Sequence, residues 1–323
     1  MNGPGLPVTV VGGYLGAGKT TLVNHVLRHA RRPVAVVVND FGDLDIDAAL
    51  LVDNDGEVLT FANGCVCCDL SEGLVVALDR IRSATPAPDR LLIESSGVGE
   101  LATIANYAAL PGLRLDATVC VVDATSIDER VNDRWVGDLV RAQIREADLV
   151  VCNKIDLVDR SRRAAAHARI ASIAPSAVVL EADHGRIDLD VLFERVPTGR
   201  SESEAARGGG PVDEHGPDAS TTFVSWVRSF DVPVPIDELR TALDSLPAAV
   251  VRAKGVVPVL DGGEVRSMLG QVVGRRRELS RAPAGAETIR SMSFIALREQ
   301  LDPGTVPPLL SSSGERQAKA PRS

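Results

Sequence analysis

Eight residues near the N-terminus, Gly13-Tyr14-Leu15-Gly16-Ala17-Gly18-Lys19-Thr20, have the types and spacing that hold a phosphate chain. Glycines at 13, 16 and 18 let the backbone curl until its N–H groups point inward at phosphate oxygens. An apolar run precedes the loop and a helical pattern follows it, so the positive end of a helix dipole adds to the attraction. In this reading Gly13, Gly16, Ala17 and Gly18 form the cradle. Lys19 reaches the β- and γ-phosphates and stabilises the charge of a transferring phosphoryl group. Thr20 places its hydroxyl on Mg²⁺, and Thr21 contacts the α-phosphate.

A phosphate loop does not choose a base. Asn153-Lys154-Ile155-Asp156 does, and it follows an apolar run of strand length. The carboxylate of Asp156 can accept both N1–H and the exocyclic N2–H of guanine, a donor pair that adenine lacks. Asn153 can reach the O6/N7 edge, and the Lys154 stem can cover the ring face. Two acids end apolar runs on the magnesium side, Glu94 and Asp123. Glu94 is favoured because Gly97 follows it and can donate its N–H to a γ-phosphate, making the loop sensitive to the nucleotide. Asp123 reads instead as a strand-end cap. No general base stands out.

Cys65, Cys67 and Cys68 fall within four positions. Three thiols so spaced can converge on one ion, and thiolates prefer Zn²⁺ or Cu(I) to Mg²⁺. A closed zinc site needs a fourth ligand, which no second cysteine pair or nearby histidine supplies. The site therefore reads as open, completed by water, a carboxylate or a partner, which suits transfer. A redox pair or a buried turn are the alternatives. Upstream, Asp40 in Asn39-Asp40-Phe41-Gly42 either serves Mg²⁺, completes the thiolate site or belongs to an acidic surface loop. Cys120 and Cys152 lie alone in apolar runs and read as buried small hydrophobes.

These groups need a frame. The 323 residues are 45% hydrophobic but only 3% aromatic, so Ala, Val and Leu must fill the core. Apolar runs at 7–11, 34–38, 91–93, 117–122 and 149–152 suit strands buried on both faces of a parallel sheet. Helical patterns at 19–31, 70–83, 138–146 and 160–172 alternate with them, which gives an α/β fold with a mainly parallel sheet flanked by helices. Residues 199–220, rich in Ser, Glu, Gly and Pro, read as a flexible linker. A smaller α+β domain with an antiparallel sheet is expected over 221–302, from strands at 221–230, 250–260 and 291–297 and a helix at 236–246. The Pro- and Ser-rich stretch 303–323 is expected to be disordered. A net charge of -9 argues against a general nucleic-acid binder. Run lengths argue against a signal peptide or membrane span, so a cytoplasmic protein is expected. The assembly is left open, a dimer included.

Taken in order, Gly12 to Thr21, Asn39 to Gly42, Gly64-Cys65-Val66-Cys67-Cys68, Glu94-Ser95-Ser96-Gly97 and Asn153 to Asp156 resemble the motifs of CobW-type GTPases. Val251-Arg252-Ala253-Lys254-Gly255 and Phe294-Ile295-Ala296 resemble the second domain of that family. The likeness spans residues 6–302. It implies a P-loop GTPase domain over 1–198 and a slow GTPase whose nucleotide cycle is linked to a metal at the three cysteines and to its insertion into a client metalloprotein. Zinc is the commonest metal in the family; cobalt- and iron-linked members include activators of nitrile hydratase. A nucleotide-gated zinc sensor is the competing reading, and a P-loop kinase or ATPase ranks below both. Three departures stand out: Asp40 where the family usually has Glu, Val98-Gly99-Glu100-Leu101 in place of Leu-Ala-x-Pro, and only His215 where many members carry a His-rich run.

Overall fold

The computed structural model describes residues 5–30, 32–38, 49–52, 58–61, 81, 87–193, 223–283 and 285–311. They fall into two compact units, the first running to Phe193 and including Val273–Arg275, the second made of the remainder.

The first unit begins with β1 (Leu6–Gly12), the phosphate loop and α1 (Lys19–His29). Val8, Val10 and Val11 are all fully buried, as is Thr9 within 2%, so β1 shows no inside–outside alternation. Helix α1 buries Leu22, Val23 and Val26 and ends on Arg28 and His29, which complement its negative terminus. β2 (Val34–Val38) follows, then β3 (Ala49–Val52) and β4 (Val58–Phe61), which pair antiparallel. Next come β5 (Arg90–Glu94), α2 (Leu101–Ala105), β6 (Leu113–Asp123), α3 (Ile127–Asn132) and α4 (Gly137–Glu146). β7 (Leu149–Asn153), α5 (Arg160–Ile173), β8 (Val178–Glu181) and α6 (Leu189–Leu192) complete the unit.

The sheet order is β4-β3-β2-β5-β1-β6-β7-β8, and the run from β2 to β8 is parallel throughout. β1 lies between β5 and β6, so the chain leaves it for both sides of the sheet. Ligands of such folds bind at this reversal, outside the carboxyl ends of the strands. The core is almost wholly Val, Leu, Ile and Ala, as the low aromatic content requires. Each fully buried side chain of this kind stabilises by about 1.5–3 kcal/mol. No helix among the described residues is long and apolar enough to cross a membrane.

In the second unit β9 (Phe223–Ser229), β10 (Val234–Pro235), α7 (Ile236–Asp244), β11 (Val250–Asp261), β12 (Glu264–Val273), β13 (Arg276–Arg281) and β14 (Ser291–Leu297) form one sheet and one helix. The sheet runs β13-β12-β11-β14-β9, with β10 added to β11. The β11–β12 turn uses Gly262 (φ 58°) and Gly263 (φ 87°), a pair suited to the left-handed conformations of a tight hairpin.

The expected α/β and α+β classes match this architecture. Several expectations change. The hairpin β3–β4, the helix α2 and the strands β12 and β13 were not anticipated. The expected helix at 70–83 and linker at 199–220 lie outside the described residues, Ile81 apart. Disorder from residue 303 onward is corrected for 303–311. There Val306 and Leu310 are buried, and Trp226 Nε1 donates to the Leu310 carbonyl at 2.9 Å. Arg228 Nε donates to the Leu309 carbonyl at 3.1 Å. Prolines at 303, 307 and 308, taken as marks of disorder, instead preset φ in a strap laid along β9. Beneath it the Trp226 indole stacks on Phe294 with centroids 4.9 Å apart.

Leu310→Ala is expected to destabilise the second unit by about 2–5 kcal/mol. Denaturant unfolding followed by Trp226 fluorescence in a Trp135→Phe background reads this unit alone, since the chain has two tryptophans. An unchanged midpoint would show that the strap does not matter.

Candidate functional site

The carboxyl ends of β1, β5, β6 and β7 bring the sequence-predicted groups together. Val11 of β1 pairs in register with Glu94 of β5, and Asp123 of β6 with Asn153 of β7. Four motifs separated by up to 140 positions thus reach one edge because each closes a neighbouring parallel strand.

The phosphate loop turns at Gly13 (φ 133°), Gly16 (φ 77°) and Gly18 (φ 102°), all in the region that favours glycine. Crowding adds to the demand at two of them. A Cβ on Gly13 would lie 2.1 Å from the Val121 carbonyl oxygen, and one on Gly18 would lie 2.2 Å from Asn153 Nδ2. Ala17 N–H closes the loop onto Tyr14 O at 3.2 Å. The first turn of α1 has N–H groups that no intrahelical carbonyl can satisfy. Lys19 is 8% exposed and folds back over the loop, its Nζ donating to Tyr14 O at 3.4 Å. A neutral carbonyl at that distance is a weak partner, and a phosphate oxygen is a stronger one. Thr20 and Thr21 are exposed at the helix start.

Of the two candidate acids, Glu94 lies beside the loop. Thr20 Oγ1 donates to Glu94 Oε1 at 2.8 Å, and the glutamate is 4% exposed. A hydroxyl and a carboxylate this close are both hard oxygen donors, a set that fits Mg²⁺. Asp123 is engaged elsewhere. Its Oδ2 accepts from Lys154 Nζ at 2.7 Å, and its Oδ1 accepts from the Thr125 backbone and hydroxyl at 2.8 and 2.7 Å. Burial alone would push this carboxyl up. The hydrogen bonds from Lys154 and Thr125 outweigh it and hold the group below its usual value, charged at neutral pH.

At the end of β7, Asn153 is 2% exposed. Its Nδ2 donates to the Ala17 carbonyl at 2.9 Å, and its Oδ1 accepts from Gly185 N–H at 2.9 Å. One amide therefore ties the phosphate loop to the loop after β8, with one further N–H to give. Lys154 adopts a left-handed conformation, φ 62°, and its salt bridge to Asp123 fixes the direction of its stem. Asp156 is exposed, and its carboxylate has no hydrogen-bond or ion-pair partner among the described residues.

Sequence reasoning missed two contributors. The loop after β8 packs tightly on α1, since a Cβ on Gly185 would lie 2.7 Å from Leu22 N. Ile155 N–H also donates to the Ala182 carbonyl at 3.2 Å. The glycine two positions beyond Asp183 marked a turn, but its partner was legible only in three dimensions. Asp123 was read as a cap and is also the anchor of Lys154.

Gly97 is buried against the phosphate loop, where a Cβ would lie 2.4 Å from Leu15 Cδ2. Cys65, Cys67, Cys68 and Asp40 lie outside the described residues. Among the described residues no group of three or more His, Cys, Asp or Glu side chains is arranged to hold a metal. Cys120 and Cys152 are buried thiols, each pushed up to about 12 chiefly by desolvation. They remain protonated at neutral pH and are not thiolate ligands.

Asn153→Ala leaves the Ala17 carbonyl and the Gly185 N–H without their buried partner, a loss of about 1–3 kcal/mol per group. Guanine nucleotide affinity, for di- and triphosphate alike, is expected to fall roughly 10- to 100-fold by fluorescent-nucleotide titration. Undiminished affinity would show that the Asn153 amide does not organise the site.

Comparison with known proteins accords with this geometry. Residues 7–181 match the family described as CobW/HypB/UreG, nucleotide-binding domain. The zinc chaperone CobW of Pseudomonas aeruginosa is 30% identical over 342 aligned positions, covering 93% of this chain and 89% of that protein. The zinc chaperone YjiA of Escherichia coli is 30% identical over 285, covering 84% and 86%. The zinc-regulated GTPase metalloprotein activator 1 of Schizosaccharomyces pombe is 33% identical over 196, covering 57% of this chain and 47% of that protein. A match over more than half the chain, and a relative aligned over nearly all of it, place the chain in the CobW/HypB/UreG family, among its CobW-type GTPases.

Proposed function

We propose that this protein is a zinc metallochaperone whose GTP cycle controls the binding and delivery of the metal to a client metalloprotein. The observation that carries the nucleotide half is the Asn153 strap, which holds the phosphate loop and the base-side loops in one unit. The metal half is carried by the three cysteines, which lie in sequence between the strands that lead to Asp40 and Glu94. Relatives named zinc chaperones support zinc as the cargo, and a relative named a metalloprotein activator supports a metalloprotein client.

In this reading the backbone of Gly13 and of Gly16 to Thr21 holds the phosphates. Lys19 leaves the Tyr14 carbonyl for the β- and γ-phosphates and stabilises the charge that develops there. Thr20 and Glu94 hold Mg²⁺, which neutralises phosphate charge when bound. The Gly97 N–H meets the γ-phosphate. Asp156 accepts the two donors of guanine, Asn153 keeps its remaining N–H toward N7, and the Lys154 stem lies on the ring. Cys65, Cys67 and Cys68 bind zinc as thiolates, with Asp40 as a further oxygen donor. Zinc is held in the GTP form and given up after hydrolysis. The net charge of -9 supports a partner other than nucleic acid, and the absence of a membrane-crossing helix among the described residues supports work in the cytoplasm.

Cys67→Ala is expected to abolish tight zinc binding while leaving GTP affinity, measured without zinc, within about twofold, because the ligand and nucleotide sets share no residue; zinc affinity unchanged by the substitution would sink the assignment. Asp156→Asn is expected to erase the preference for GTP over ATP in competition titrations, as the amide cannot accept both guanine donors as a carboxylate does. A preference that survives would move base recognition elsewhere. Mixing zinc-loaded protein with a metal-free client and GTP tests delivery directly. GTP-dependent transfer supports the chaperone; retention of the metal with every client tried would leave the nucleotide-gated sensor as the function.

A further inference from the structure

Helix α4 grips the segment after β5 at two points one turn apart. Gln143 is 1% exposed, and its Nε2 donates to the Gly99 carbonyl at 2.8 Å and, at the longer distance of 3.5 Å, to the Gly97 carbonyl. Three residues on, Glu146 Oε2 accepts the Ala102 N–H at 3.1 Å. Residues three apart on a helix share a face, so a single face of α4 fixes both ends of the segment 97–102. The segment is tight within itself: Gly99 N–H closes a turn onto Ser96 O at 2.9 Å. Its far end is pinned by Leu101, fully buried against Gly12, where an added Cβ would lie 2.6 Å from Leu101 Cδ2. Gln143 also lines, with Tyr14 and Leu15 of the phosphate loop, a small cleft.

The glutamine is a poor choice for packing alone. Its Oε1 is buried and finds no hydrogen-bond donor among the described residues. A buried acceptor without a donor is destabilising, and a methionine of similar length would have none to bury. What the amide provides, and an apolar side chain does not, is a pair of N–H groups aimed at the carbonyls on either side of Val98.

We propose that Gln143 is a positioning residue for the γ-phosphate-sensing segment: its amide holds Gly97 to Gly99 so that the Gly97 N–H is preset toward the terminal phosphate. This rests on the reading of Gly97 given above. A nucleoside diphosphate lacks the phosphate that the Gly97 N–H would meet, so the effect of Gln143 is confined to the triphosphate. It acts through the loop and touches neither the nucleotide nor the metal.

The test is Gln143→Met in the full-length protein, with Gln143→Leu as a second apolar replacement. Three quantities are measured: the thermal midpoint, the affinities for GDP and for a non-hydrolysable GTP analogue, and steady-state kcat and KM. The midpoint is expected to shift little, because losing the donor to the Gly99 carbonyl is offset by removing the unpaired Oε1, and GDP affinity is expected to stay within about twofold. Affinity for the analogue is expected to fall about 3- to 10-fold, the weight of one hydrogen bond, with a matching fall in kcat/KM. An unchanged ratio of the two affinities in both variants overturns the proposal. So does a parallel loss of both affinities with a lowered midpoint, the mark of a merely structural residue. If the unmutated protein does not bind the analogue and GDP, the nucleotide reading itself falls and takes this proposal with it. If it binds both and only the variant ratio stays fixed, the proposal alone fails.

Discussion

One buried side-chain amide joins the halves of the nucleotide site. Asn153 donates to the Ala17 carbonyl and accepts from Gly185 N–H, both at 2.9 Å, in a setting that is 2% exposed. Unpaired, these backbone groups would each be costly in the core. The strap therefore fixes where the phosphate loop stands relative to Lys154, Asp156 and the loop after β8. Gly18 must be glycine partly because this amide occupies the space of a Cβ. The adjacent salt bridge between Lys154 and Asp123, 2.7 Å long, does similar work for the base-side loop. Side chains with roles in recognition are thus held by neighbours that have only positional roles.

The opposite side of β1 carries the parts that can report on the terminal phosphate. Glu94 stands in register with Val11, accepts from Thr20, and is followed by the tight turn that ends at Gly99. The cysteine triad lies in sequence between β4 and β5, the strand that delivers Glu94. In the proposed function the metal-binding cysteines and the phosphate-sensing Gly97 lie in sequence on either side of β5, the strand that carries Glu94. That arrangement is the physical basis for reading the nucleotide as switch and the metal as cargo.

Much of this was legible in the sequence because it is local. The glycine spacing of the phosphate loop announces its own backbone conformation, and the unbroken apolar runs of β1 and β7 announce burial on both faces. Asn153 and Asp156 were legible as a motif. The bonds from Asn153 to Ala17 and Gly185 were not, because they join positions 136 and 32 residues apart. Gln143 carried no signal, as a polar residue on an amphipathic helix normally faces water. The strap at 303–311 was misread since proline and serine serve both disorder and fixed turns, and only the burial of Leu310 and the Trp226 N–H bond decide between them. Strands β12 and β13 alternate too many charged residues for their period to stand out, although the Gly262-Gly263 pair was a hairpin signal.

In the proposed function nucleotide and metal are energetically linked. The most direct test is zinc affinity measured by chelator competition in the presence of GDP and of a non-hydrolysable GTP analogue. Zinc binding is expected to be at least about fivefold tighter with the analogue, and by reciprocity analogue affinity rises by an equal factor when zinc is added. Zinc affinity that is the same with either nucleotide would contradict it.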